Sequence, residues 1–224
     1  MEKFTKILET IDGYVWGIPL IVLIMAVGIF LTFRLRLLQI FHLPKALKFM
    51  FQNENGGKGE ISSFAALCTA LSATIGTGNI VGVATAIGVL SGGPGALLWM
   101  WIAALLGMAT KFSEGFLAIK YRRMDADGHV CGGPFYYIEY GMGKKWKPLA
   151  IFFAVTIILG GLGTAAFAQP YTMSTALERT FHIPAWVVTV AAAAICGIVL
   201  IGGVKGIGKF CEKITPAMCL IYVV

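Results

Sequence analysis

Between Ile61 and Leu90 the chain carries an apolar stretch long enough to cross a bilayer, yet its middle reads Ser72-Ala-Thr-Ile-Gly-Thr-Gly-Asn79. Glycines, threonines, a serine and an asparagine stand where a spanning helix is normally most uniformly apolar. In hydrocarbon every backbone group needs a partner, so a broken helix at membrane depth survives only where it faces protein or a polar cavity. Discontinuous spans of this kind are how transporters build a midplane site for a small solute and its coupling ion. Unwinding frees carbonyls that can replace the hydration shell of a cation, and it exposes a half-helix N-terminus to a carboxylate. Gly76 and Gly78 admit close approach, while Thr74, Thr77 and Asn79 add side-chain oxygens. The competing reading is helix packing, because Gly78 and Gly82 form a GxxxG pair. Packing accounts for the glycines but not for Asn79 beside them.

The rest of the chain agrees with a membrane setting. With 58% hydrophobic and only 13% charged residues, and a mean hydropathy of +0.81, it lies outside the range of soluble domains. A net charge of +7 raises the question of nucleic acid. The basic residues fall in short loops between apolar runs rather than on one face, which argues against it. Five cysteines without CxxC spacing indicate neither a disulfide framework nor a metal site. The N-terminal apolar run ends in Arg34 and Arg36 without a small-residue cleavage site, so it reads as a retained span rather than a signal peptide.

At about twenty residues per crossing, span one is expected at Tyr14–Phe33, and span two, broken, at Ile61–Leu90. Span three is expected at Gly95–Tyr121, span four at Pro148–Leu177 and span five at Pro184–Gly203. A sixth begins near Pro216 and is still apolar at Val224, so we expect a fragment that stops within a helix. Arg34, Arg36, Lys45, Lys48 and Lys58 follow span one. Lys120, Arg122, Arg123, Lys144, Lys145 and Lys147 follow span three, and Lys205, Lys209 and Lys213 follow span five. Lys3, Lys6 and Arg179 stand on the opposite side. Basic residues mark the cytosolic face, so the N-terminus is expected outside, with a cytosolic loop at Arg122–Lys147 and an external one at Glu178–Ile183.

Further motifs carry paired readings. Gln169, beside Pro170 in span four, can reach a bound zwitterion from a facing helix or make an interhelical hydrogen bond. Lys111 and Glu114, one turn apart and roughly 24 Å along span three, read as a snorkelling pair at the cytosolic boundary in preference to a proton relay. Cys131-Gly-Gly-Pro-Phe-Tyr-Tyr-Ile-Glu-Tyr140 fits either an interfacial or re-entrant piece or a juxtamembrane helix with an aromatic belt. Gly203-Val-Lys-Gly-Ile-Gly-Lys209 has the spacing of a phosphate loop, but Phe210 replaces the Mg²⁺-binding hydroxyl residue and no strand precedes it. His42, His129 and His182 lack metal-ligand spacing, and no nucleophile–base constellation is present, so the chain does not read as an enzyme and needs no cofactor.

Gly92-Gly-Pro-Gly-Ala-Leu-Leu-Trp-Met-Trp-Ile-Ala-Ala-Leu-Leu-Gly107 closely resembles the signature of the alanine or glycine:cation symporters, the sodium:alanine symporter family. The one looseness is Leu98, where a Phe is usual. The Gly76-Thr-Gly-Asn79 break and the Gly-Gly-Pro-Phe-Tyr-Tyr-Ile-Glu loop also look like that family, so the resemblance covers the whole chain. It implies an all-α membrane protein of the LeuT-type inverted-repeat fold. Residues 1–60 would be an extra first helix and cytosolic linker. Residues 61–224 would be the first five-helix repeat, truncated within its last helix, with the second repeat absent as a missing partner.

The function implied is Na⁺-coupled symport (H⁺ being the alternative ion) of alanine or glycine across the plasma membrane into the cell. Carried over, Thr77, Gly78, Asn79 and Gln169 match substrate positions. Ser72, Ile75, Gly76 and Asn79 match cation positions, through carbonyls at Ser72 and Ile75. The rival readings are a channel or pore subunit, which would want a repeated filter motif, and a non-transporting membrane interaction protein, whose polar break would have no ligand affinity.

Overall fold

The computed structural model describes residues 2–52, 60–88 and 92–223; the side chains of residues 2–4, 51 and 164–166 are left aside. Lys3's side chain, and Lys58, Leu90 and Val224, named above, therefore lie outside what is described. The described chain is helical almost throughout. It runs α1 Glu2–Val15, α2 Ile18–Arg34, α3 Leu38–Phe41, α4 Leu43–Phe51, α5 Ser63–Thr74, α6 Val81–Gly88 and α7 Gly93–Lys120. After β1 Arg123–Met124 and β2 Val130–Cys131 come α8 Pro134–Tyr136, α9 Lys147–Gly160, α10 Ala166–Phe181, α11 Ala185–Ile201 and α12 Gly203–Val223.

Three helical stretches among the described residues are long and apolar enough to cross a membrane: Thr5–Arg34, Gly93–Lys120 and Lys144–Phe181. The pair Ser63–Thr74 and Thr77–Gly88, bent by 66°, makes a fourth if counted as one broken span. Large apolar side chains such as Ile21, Phe30, Trp99, Trp101, Phe152 and Ile198 face outward, as lipid-facing residues do, since hydrocarbon offers no penalty for exposing them. Together these features make the chain an all-α, multi-pass membrane protein.

Small residues mark the helix contacts. A Cβ at Gly28 of α2 would stand 2.9 Å from Leu106 Cβ of α7, so this crossing is as close as glycine allows. On α12, a Cβ at Gly208 would come within 3.1 Å of Ile61. That contact opens a seam along which α12 lies against α5. The Thr215 hydroxyl, 1% exposed, donates to the Cys68 carbonyl at 3.1 Å, and Ser72 Oγ meets Cys211 Sγ at 3.2 Å.

Several boundaries depart from expectation. A separate helix, α1, precedes span one, which begins at Ile18 with Pro19 in its first turn, where the missing N–H costs nothing. The sixth helix begins at Gly203, not near Pro216, because Gly203 takes φ +59° and reverses the chain directly after α11. Lys205, Lys209 and Lys213 are thus helical rather than in a loop, and Pro216 lies inside α12. The connection expected to be external shrinks to the residues between Phe181 and Ala185. Span four passes through a π-helical turn at Gly161–Ala165, where the glycine run weakens the regular helix.

The candidate site at the broken span

Helix α5 starts cleanly: Ser62 caps it, its Oγ accepting the Ala65 N–H at 3.1 Å. It ends at Thr74. A single 3₁₀ turn, Thr77–Asn79, then leads into α6. Two side-chain amides hold the gap open. The Gly76 N–H, which would close the helix on the Ser72 carbonyl, donates to Asn79 Oδ1 at 3.0 Å. The Thr77 N–H, which would close on the Ala73 carbonyl, donates to Gln169 Oε1 at 3.2 Å. The Asn79 N–H turns back to the Gly76 carbonyl at 3.0 Å rather than to Ile75. The carbonyls of Ser72, Ala73 and Ile75 are thereby deprived of their regular donors, the chemical condition for taking up a cation.

Gln169 arrives from α10 and its amide lies close against Gly76. A Cβ at Gly76 would stand 2.6 Å from Gln169 Nε2. At Gly78 and Gly82, by contrast, no described atom lies within 4 Å of where a Cβ would be. The GxxxG pair therefore makes no close helix contact among the described residues, and the glycine that matters is Gly76.

Gly76, Thr77, Asn79 and Gln169 come together, with Gly78 exposed on the same turn. Ser72 behaves differently from its neighbours. Its side chain turns towards α12, bonding the Thr69 carbonyl at 2.9 Å and Cys211, which leaves its carbonyl as its contribution to the break. Thr74 bonds back to the Ala70 carbonyl at 2.8 Å and adds no free oxygen. None of these residues is ionisable, so the polarity here is that of neutral dipoles.

Below the break, at the foot of α5, Glu60 Oε1 lies 3.0 Å from His129 Nδ1. The hydrogen bond from His129 holds the Glu60 carboxyl below the ordinary carboxylate range. The charges of His129 and Lys205 and the Val130 N–H add to this, against an opposing push from burial. Neither residue stood out in the sequence, because 69 positions separate them and no motif joins them. Lys111 and Glu114 form the expected pair at 2.9 Å, with side chains 70% and 43% exposed, as snorkelling residues are. The Cys131–Tyr140 segment folds as β2, α8 and a π-helical turn at Tyr137–Gly141. The Arg123 guanidinium stands 4.1 Å from the Tyr140 ring centroid.

A membrane chain with a polar break in one span, held by side-chain amides, is the construction of a solute carrier. Residues 1–224 match the sodium:alanine symporter family, and the chain belongs to it. This is a family of transporters rather than enzymes. The chain is 50% identical over 219 residues to an uncharacterised transporter of Haemophilus influenzae, covering 97% of this chain and 47% of that protein. To the sodium/alanine symporter AgcS of Methanococcus maripaludis it is 42% identical over 224 residues, covering 98% of this chain and 49% of that one. To the probable sodium/glutamine symporter GlnT of Bacillus subtilis it is 38% identical over 223 residues, covering 97% and 46%. The chain spans about half the length of these relatives.

Proposed function

We propose that this chain forms the first half of a LeuT-type secondary transporter that couples Na⁺ entry to import of a small neutral amino acid, alanine or glycine. Residues 1–60 supply the extra first helix and a cytosolic linker, and residues 61–224 the first repeat. The N-terminus lies outside the plasma membrane, which puts the foot of α5 and the start of α12 on the cytosolic side. The carrying observation is the opened helix at Gly76, where side-chain amides take the backbone donors and leave the Ser72, Ala73 and Ile75 carbonyls without theirs. Ser72, Ile75, Gly76 and Asn79 would provide cation ligands. Thr77, Gly78, Asn79 and Gln169 would face the solute, whose carboxylate is drawn to the N-terminal end of the turn leading into α6. Relatives named as sodium/alanine and probable sodium/glutamine symporters support this solute class.

Since the relatives are about twice as long, the remaining ligands would come from a second repeat. The test is uptake of labelled alanine into proteoliposomes under a Na⁺ gradient. It compares the chain alone with the chain joined to the C-terminal half of a full-length relative. We expect Na⁺-dependent uptake from the joined protein only. Uptake by neither, from correctly inserted protein, would count against the symport reading.

A further inference from the structure

We propose that Glu60 is a positioning residue: its carboxylate fastens the inner half-helix α5 to the β1–β2 hairpin, and so sets how readily that half-helix swings about the break. Its use in a transport cycle rests on the symport reading above; the fastening itself is a matter of geometry.

The carboxylate joins two separate elements, and a third borders the recess beside it. Glu60 stands two residues ahead of the α5 cap Ser62. Opposite it, His129 is presented by the tight connection of the hairpin, where Gly128 takes φ +80° and the Asp125 N–H donates to the His129 carbonyl at 2.9 Å. From α12, Lys205, Lys209 and Glu212 line the same recess, with Ile61 and Ala65 at its apolar wall. The lysines lie four apart on one helical face, and the charge of Lys205 favours the Glu60 carboxylate.

The position matters because of what lies above it. Helix α5, 12 residues or roughly 18 Å long, is joined to α6 through the 66° bend. It is held to α12 by the Thr215–Cys68 and Ser72–Cys211 contacts, whereas α6 has no buried residue. The two halves of one broken span thus rest on different neighbours, α5 on α12 and α6 on α7. Glu60 acts at the end of α5 farthest from the bend, where a given force has the longest arm. Its partner His129 is 70% exposed and Glu60 33%, so the tie is a weak one, of the strength a reversible gate needs.

Cys68 and Cys211, 2% and 7% exposed in the α5–α12 seam, report on it directly. The chain is reconstituted in lipid vesicles and treated with N-ethylmaleimide. Modification of each cysteine is followed by peptide mass spectrometry, with the exposed Cys196 as internal reference. Glu60→Gln should raise labelling of Cys68 and Cys211 about two- to fivefold, the range for an exposed ion pair. Glu60→Asp should lie between it and the parent. The charge exchange Glu60→His with His129→Glu should restore protection. Unchanged labelling in Glu60→Gln overturns the proposal. So does an exchange variant that labels as fast as Glu60→Gln, or a rise accompanied by loss of helical circular dichroism. No transport is measured, so failure of the symport reading would show in the uptake assay and leave this result standing.

Discussion

Replacing Gly76 by alanine puts the contact between the break and α10 to a quantitative test. The new Cβ would stand 2.6 Å from Gln169 Nε2, where ordinary contact begins at 3.4 Å. The amide must therefore shift, and we expect the Thr77 N–H to lose its acceptor. One such hydrogen bond contributes about 0.5–1.5 kcal/mol. Alanine also favours helix over glycine by roughly 0.5–1 kcal/mol, which draws the gap towards closure on the Ser72 carbonyl. The sum, about 1–2.5 kcal/mol, corresponds to a loss of about five- to seventyfold in apparent affinity for Na⁺ and alanine. Gln169→Ala removes the acceptor without the helical bias and should cost about two- to twelvefold. If the two residues act through one contact, Gly76→Ala placed on top of Gln169→Ala should add only its helical share. The coupling should then be close to the energy of one hydrogen bond. The assay is alanine uptake against Na⁺ concentration, in the chain joined to the second half of a full-length relative, normalised to surface amount. Full additivity, or a Gly76→Ala protein that behaves as the parent, would refute the argument.

Other expectations follow from the same geometry. Asn79→Leu, of nearly matched volume, releases the Gly76 N–H and removes an oxygen from the site. It should lower apparent Na⁺ or alanine affinity about ten- to a hundredfold, the range of a hydrogen bond to a charged group. Gln169→Leu should weaken alanine more than Na⁺, and Leu98→Phe, which makes no contact with the site, should leave both unchanged in parallel uptake curves. A cysteine introduced by His129→Cys should resist an impermeant maleimide in intact cells, and its modification from outside would reverse the orientation. Thr215→Val should destabilise the chain by about 0.5–1.5 kcal/mol, read as a lower midpoint of thermal unfolding in detergent. An unchanged midpoint would mean that the seam does not depend on that hydroxyl.

The break itself was legible because its residue types are wrong for hydrocarbon, and Gly76, Thr77 and Asn79 fall where that reasoning put them. Gln169 was recognisable as an intramembrane amide, but its partner was not, since 92 positions separate it from Thr77 and pairing at that distance depends on how whole helices cross. The start of α12 was misread for a different reason. Lys205, Lys209 and Lys213 look like loop charges when only hydropathy is weighed, yet their spacing of four is a helical stripe, a signal that was available. Pro216 stands inside α12, and tolerance of an interior proline cannot be seen locally. The packing reading of Gly78 and Gly82 rested on spacing alone, which says that two helices can approach and not that they do.

That the opening at Gly76 is propped by Asn79 and Gln169, and among the described residues by no carboxylate, bears on how this chain enters a bilayer. A buried aspartate near the midplane would add about 2.5–3.5 kcal/mol to insertion; an amide avoids that burden. With no ionisable residue at the break, this half of the site has no charge of its own to carry between the two faces. On the symport reading proposed above, a zwitterionic solute would bring none either, so on this side of the site the travelling charge would be that of the ion. Each Na⁺ moved would then draw about 2.3 kcal/mol from every 100 mV of membrane potential, and neutral amides would leave that voltage free to act on the cargo.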